Sequence, residues 1–304
     1  MPRIEPIRRP PANFGAFVDE VAPGLERLYG PAAAEDYRRK APIAISSSLG
    51  HPAVQAWVAL DEADDSARAM LVSAVRDGVG HITFVHVLQP HAGQGLESDL
   101  TRAAVAGLRE AGVSGISAEP VALCPLDLNA VFASLGFTRI ERQLMSAPLH
   151  TGPLAAAVLP KSVTVEPGGL RQVAEVVVEA YRDHPGRELH AEVRTLAGAE
   201  NFVRTAADGG YGQTRPAYIR LVRRLDAAVG AIVGCEAAPG VGFVLQVVVR
   251  PEARGQGLAT QLMIELAQCF REAGLGRVAL GVTNDNPARR LYARLGFRKI
   301  LPVN

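Results

Sequence analysis

Residues 246–260 read Gln-Val-Val-Val-Arg-Pro-Glu-Ala-Arg-Gly-Gln-Gly-Leu-Ala-Thr, and they change character in the middle. The first part predicts a strand. Leu245, Val247, Val248 and Val249 are apolar and mostly β-branched, and Pro251 ends the ladder because it has no N–H to give. The second part predicts a helix. Leu258, Leu262, Met263, Leu266, Ala267 and Phe270 recur at steps of three and four, and Gly274 supplies a C-terminal stop.

Between the two lies Arg254-Gly255-Gln256-Gly257-Leu258-Ala259. Two glycines let the backbone turn tightly and approach a ligand closely. The loop's N–H groups then face outward at the positive end of a helix dipole, which suits an anion such as a diphosphate. Arg254 adds a positive charge. A dinucleotide fingerprint needs a third glycine at 260, where Thr260 stands, and a phosphate-binding P-loop needs a Gly-Lys-Ser/Thr that is not there. A Gly-rich turn with no ligand is the remaining alternative on this stretch alone.

The downstream sequence narrows the choice. Residues 278–283 read as another buried strand, and Asn284-Asp-Asn286-Pro-Ala-Arg289-Arg-Leu-Tyr292-Ala-Arg-Leu-Gly296-Phe297 follows. Here the chain resembles the GNAT superfamily of acyl-CoA N-acyltransferases. The Arg-x-x-Gly-x-Ala loop from Arg254 to Ala259 matches that family's diphosphate motif. Asn286, Ala288, Leu291, Tyr292, Gly296 and Phe297 match its C-terminal motif. The two stand in the family's order, one helix and one strand apart.

Composition sets outer bounds. The chain has 304 residues, enough for two domains. Its net charge of +1 gives no global field toward nucleic acid or an anionic membrane. The three cysteines, Cys124, Cys235 and Cys269, form no Cys-x-x-Cys and have no histidine at ligand spacing, so no metal site is expected. Neither a signal-peptide core nor a membrane-length apolar run is found, and a cytoplasmic protein is the expectation.

An internal repeat organises the whole chain. Gly93-Gln94-Gly95-Leu96 returns as Gly255-Gln256-Gly257-Leu258, residues 108–112 return nearly as 270–274, and Leu135-Gly136-Phe137 returns as Leu295-Gly296-Phe297. Three blocks in one order at a nearly constant offset predict two copies of one α/β fold. The expected layout is a first copy over 1–148, a linker over 149–161 and a second copy over 162–304. In the first, 14–29, 32–40, 96–111 and 126–135 read as helices, and 54–60, 68–75, 81–88, 113–121 and 138–146 as strands. In the second, the order reads β-α-α-β-β-β-α-β-α-β, the order known for GNAT domains. The resemblance then implies a mixed, mostly antiparallel, splayed sheet flanked by helices in each copy.

It also implies chemistry for the second copy, acetyl transfer from acetyl-CoA to a small-molecule or protein amine. Main-chain groups of Val247, Val248 and Val249 would pair with the pantetheine arm. Arg254, Gly255, Gln256, Gly257, Leu258 and Ala259 would take the diphosphate. Asn286 would bond the cofactor arm or cap the following helix, and Arg289 would lie near the 3′-phosphate or face water. Tyr292 would protonate the departing thiolate, which is general acid catalysis. For the base that deprotonates the amine, Glu236, Asp183 and His184 are candidates by residue type. The acceptor is expected near residues 181–190 and the Gly-rich turn at Tyr211. In the first copy Phe132 stands at the position of Tyr292, Ala92 at that of Arg254 and Glu97 at that of Ala259. That copy is expected to be catalytically silent. A non-catalytic acyl-CoA-binding or regulatory protein is the alternative from another class.

Overall fold

The computed structural model describes residues 2–76, 78–118, 128–158, 164–184, 187 and 190–300. Two sheets form, and the chain divides into two compact units between residues 140 and 141.

The first unit contains β1 (Arg3–Ile7), α1 (Phe14–Tyr29), α2 (Pro31–Leu49), β2 (Val54–Leu60), β3 (Ala67–Arg76), β4 (Val79–Val87), α3 (Leu96–Glu110), β5 (Gly115–Ala118) and α4 (Asn129–Ser134). Its sheet runs β1-β2-β3-β4-β5, antiparallel except for β4 against β5. The sequence pattern misses β1, because Pro6 reads as a breaker. An edge strand tolerates that proline, since one side of its backbone needs no partner.

The second unit contains β6 (Arg142–Pro148), α5 (Gly152–Ala156), β7 (Thr164–Pro167), α6 (Leu170–Tyr181), α7 (Leu196–Ala207), β8 (Ile219–Arg224), β9 (Ala227–Ala238), β10 (Val241–Val249), α8 (Leu258–Glu272), β11 (Arg277–Thr283), α9 (Arg289–Arg294) and β12 (Arg298–Lys299). From β7 onward this is the element order read from the sequence. The start of α7 is later than the pattern suggests, because the Thr195 hydroxyl accepts the Gly198 N–H at 3.1 Å and caps the helix there.

The expected boundary at 148 is corrected. The last strand of the first repeat, β6, lies in the second sheet, whose order is β12-β6-β11-β10-β9-β8-β7. β11 pairs with β10 over only four residues, Val241↔Arg277 to Val244↔Leu280. Its other edge needs a long partner, and the two residues of β12 cannot supply one. β6 pairs with β11 over seven residues, from Arg277↔Pro148 to Thr283↔Arg142. Part of the expected linker is helical, since Gly152–Ala156 forms α5 with Leu154 buried against the core of this unit. Residues 159–163 lie outside those described.

The sheet of the second unit is covered on both faces. Leu262, Met263, Leu266 and Phe270 of α8 pack on one face, and Val173, Val177, Phe202 and Val203 of α6 and α7 on the other. The fit of α8 depends on missing Cβ atoms. A Cβ at Gly242 would sit 2.5 Å from a ring carbon of Phe270, which has no exposed surface. Gly242→Ala is therefore expected to destabilise the second unit by ~1–3 kcal/mol, the usual cost of overpacking. Urea unfolding followed by tryptophan-independent far-UV circular dichroism checks it, and an unchanged midpoint would refute the packing argument.

Candidate active site

Two neighbouring strands part company at Val244. β10 continues to Val249 and β11 to Thr283, but no ladder joins them beyond Val244↔Leu280. Against β9, β10 carries a bulge between Val244 and Gln246. The extra residue breaks the alternation of side chains. Leu245 packs on the α6/α7 face, and Gln246 bonds to Tyr181 of α6 beside it. Val247 and Val249 return to the α8 face, and Val248 packs under α6 and α7. The valine side chains are thus core, and what β10 offers to the gap is main chain. The Val249 carbonyl already accepts from Arg254 Nε at 3.2 Å.

The turn between β10 and α8 has the form its glycines require. Gly255 and Gly257 have φ of +76° and +78°, a left-handed conformation that costs a Cβ-bearing residue roughly 1–2 kcal/mol. The space where their Cβ atoms would stand is open. Gly257 caps α8, and the first bond of the helix runs from Gln261 N–H to Gly257 O, so the N–H groups before it have no helical acceptor. Leu258 is buried as the first residue of α8, and Ala259 beside it keeps that turn slim.

The charges sit differently from expectation. Arg254 is turned back toward α6, where its Nη2 donates to the Ala180 carbonyl at 2.7 Å. It thereby satisfies an orphan carbonyl of the last turn of α6 and complements that helix's negative end. A cation that the sequence reading missed stands closer to the turn. Arg224, at the end of β8, donates to Gln256 Oε1 at 2.7 Å.

Asn286 forms an Asx turn leading into α9. Its Oδ1 accepts from Ala288 N–H at 2.9 Å, just before α9. Asn284 donates to Glu141 at 2.9 Å. Arg289 donates to the Asn284 carbonyl, and its guanidinium faces the Gln143 amide, whose oxygen accepts from it once the amide is turned toward it. Arg289 therefore ties α9 to β6, an engagement the spacing of the motif does not reveal.

Tyr292 projects from α9 into the core beside the gap. It is 7% exposed, with its ring 5.9 Å from that of Phe297. Burial pushes its phenol up to about 12, and the nearby Tyr181 phenol adds to the shift. None of the described residues hydrogen-bonds its hydroxyl. Tyr181 is held on Gln246, with Gln246 Nε2 donating to its hydroxyl oxygen at 3.1 Å. Two histidine rings flank Tyr181, His184 at 5.1 Å and His190 at 6.1 Å between centroids. Burial, with Arg254 and His190 nearby, holds the His184 imidazole below its usual range against the pull of Asp285.

Two expected neighbours lie elsewhere. Glu236 pairs with Gly242, at the closed end of β10. There its carboxylate accepts from the Tyr218 hydroxyl at 2.7 Å and from Arg215 at 3.2 Å. The Gly-rich turn at Tyr211 is stitched to the same end by a bridge between Gln213 and Glu236, and the Tyr211 carbonyl accepts from Cys235. Six residues of strand, roughly 20 Å, separate that end from Val249. Asp183 is exposed.

The first unit repeats the backbone of this site. β4 and β5 pair in parallel over four residues, Val79↔Gly115 to Ile82↔Ala118, as β10 and β11 do over four. Gly93 and Gly95 both have φ of +78°, and Gly95 caps α3. Phe132 packs on Phe137 at 5.0 Å, as Tyr292 does on Phe297. Glu97 stands in the first turn of α3.

Comparison with known proteins adds a family. Residues 177–297 match the family model described as "Acetyltransferase (GNAT) family". Mycothiol acetyltransferase of Rhodococcus opacus (strain B4) is 40% identical over 62 residues, a stretch that spans 20% of this chain and 20% of that protein. A GCN5-related N-acetyltransferase from Sphaerobacter thermophilus superposes with a TM-score of 0.69 over 97% of this chain and 92% of its own, at 21% identity. A tandem GNAT protein from the clavulanic acid biosynthesis pathway gives 0.62 over the full length of both chains, at 18% identity. At these identities the structural likeness speaks for the fold. No group of three His, Cys, Asp or Glu that could hold a metal ion is found among the described residues, and none of their helices is long and apolar enough to cross a membrane.

The raised phenol of Tyr292 has a consequence for stability. Below pH 10 it is neutral in both folded and unfolded chains. Between pH 10 and about 12 the unfolded chain ionises first, so stability falls as pH rises through that window. Relative to Tyr292→Phe, the wild type should lose about 2 kcal/mol more stability between pH 9 and pH 11.5, at ~1.4 kcal/mol per unit above pH 10. Urea midpoints of the two proteins at pH 9 and pH 11.5 measure the difference. Parallel loss in both would show that Tyr292 is not buried as described.

Proposed function

We propose that this chain, whose residues 177–297 match the GNAT acetyltransferase family model, is a member of that family and an acetyl-CoA-dependent N-acetyltransferase with its chemistry in the second unit. The observation that carries the reading is the parting of β10 and β11 at Val244, with the Gly255–Gly257 turn on one side and Tyr292 on the other. Acyl-CoA fits these groups as a substrate. Its amide-bearing arm matches the main chain of β10 around Val247. Its diphosphate matches the unbonded N–H groups at the start of α8. Gln256, Leu258 and Ala259 complete that turn. Arg254 supports it from behind, and Arg224 supplies the nearer positive charge.

The amine attacks the thioester carbonyl, the C–N bond forms, and the C–S bond breaks. Tyr292 then faces a thiolate. Its phenol near 12 keeps it fully protonated at neutral pH. Full transfer to a thiolate of ordinary pKa near 8.5 would run uphill by roughly 5 kcal/mol. Tyr292 therefore acts chiefly as a hydrogen-bond donor that stabilises the leaving sulfur, with the proton following from the ammonium the reaction generates. The acceptor is an amine on a small molecule or a protein.

The first unit is catalytically silent in this reading. Phe132 has no proton to donate. Glu97 brings a carboxylate to the helix turn where a diphosphate would sit, a like-charge placement.

Thiol release from acetyl-CoA across an amine panel tests the proposal. Tyr292→Phe is expected to lower kcat about 10²-fold, the low end for losing one hydrogen-bond donor to developing charge, with the Kd of acetyl-CoA little changed. Unchanged turnover would remove Tyr292 from the mechanism. Tight acetyl-CoA binding without release by the wild type, with any amine, would move the reading to a binding module.

A further inference from the structure

We propose that His190, oriented by Glu192, takes the proton from the acceptor amine; the inference rests on the reading of the second unit as an acetyl-transfer centre. An alkylammonium with a pKa near 10.4 leaves only about one molecule in a thousand as free base near neutral pH. A base within reach of the site therefore matters to rate. Glu236 is spent on Tyr218 and Arg215 at the closed end of β10. His184 also flanks Tyr181, but its depressed imidazole makes it a weaker base.

His190 has the arrangement a base requires. Its Nδ1 lies 3.0 Å from Glu192 Oε1. A carboxylate only accepts, so Nδ1 carries the hydrogen and Nε2 keeps its lone pair. Glu192 also stabilises the imidazolium that forms on proton uptake. The His190 side chain is 26% exposed, enough to be reached and enough to be held. Its ring stands edge-on to Tyr181, whose hydroxyl is on Gln246 at the open edge of β10. The phenol of Tyr181 also bears on the ionisation of Tyr292. One aromatic ring thus links the proposed base to the strand edge and to the thiolate donor. The charged and titratable groups around it are Glu192, Tyr181 and His184, with Arg254 and Asp285 acting on His184 and Arg142 on Tyr181.

The step balances. One proton of R–NH₃⁺ passes to His190 Nε2 and from there to solvent. The freed lone pair forms the C–N bond, the C–S bond breaks, and a second nitrogen proton balances the one the sulfur gains. His190 is the catalytic residue here, and Glu192 is a positioning residue.

The test uses the full chain, acetyl-CoA, and two nucleophiles: a primary alkylamine and hydroxylamine, which is already free base near neutral pH. His190→Gln should lower kcat/KM for the alkylamine about 10²-fold, while hydroxylamine turnover and the Kd of acetyl-CoA change by less than about threefold. Glu192→Gln should give a smaller loss with the alkylamine alone and weaken the Nδ1–H signature of His190, because the carboxylate that fixes the tautomer is gone. Nitrogen-15 NMR should find the Nδ1–H tautomer of His190 in the wild type. An alkylamine rate that survives His190→Gln, an equal loss with both nucleophiles, or a dominant Nε2–H tautomer would each overturn the assignment while leaving acetyl transfer standing. A wild type that releases no thiol with either nucleophile would overturn both.

Discussion

Everything proposed for this molecule depends on two strands that stop pairing. A parallel ladder between β10 and β11 lasts four residues and ends at Val244. Buried backbone groups left without partners are costly, so a sheet does not open in its middle without something to satisfy them. Here the opening is supported from several sides. β9 keeps pairing with β10 to Val249, and β6 pairs with β11 to Thr283. Each strand at the gap is therefore anchored along its far edge. The near edges make no ladder with each other beyond Val244↔Leu280, and the proposed acyl-CoA reading depends on that gap.

The origin of β6 follows from that need. A second unit made only from residues 162–304 would close its sheet with the two residues of β12. β11 would then lack a partner on the side away from the gap as well as within it. The strand that ends the first repeat fills the position. The repeat is thus complete in sequence but not in sheet, since one of its strands serves the other unit. Periodicity announces a strand at 138–146, but it carries no label for the sheet the strand will join. That assignment belongs to long-range pairing, which alternation of side chains does not encode.

What was legible in the sequence is what the local backbone demands. Gly255 and Gly257 were readable because a left-handed turn into a helix needs them, and α8 was readable from its apolar stripe. The element order of the second repeat was readable for the same reason. Side-chain direction was not. Arg254 looked like a phosphate ligand, and it faces the end of α6 instead. Arg224 and Gln256, thirty-two residues apart, meet only because β8 ends beside the turn. Glu236 had the right chemistry at the wrong end of a strand. His190 and Glu192 carried no motif at all, because a pair two residues apart acquires meaning only once a tight turn brings the side chains together.

The two units separate backbone from chemistry in a way a single domain cannot. Both keep a four-residue parallel ladder, both keep glycine pairs near +78°, and both set an aromatic ring of the last described helix against a phenylalanine. The differences lie in groups that carry protons or charge: Phe132 for Tyr292, Ala92 for Arg254, Glu97 for Ala259. Turn glycines and ring packing are required for folding in either unit, since a Cβ at φ of +78° is strained whether or not a ligand binds. The hydroxyl of Tyr292 is different. Its ring is buried, its hydroxyl makes no hydrogen bond to the described residues, and a phenylalanine fills the same place in the other unit. The ring therefore serves packing in both units, and the hydroxyl is a group that packing alone does not require.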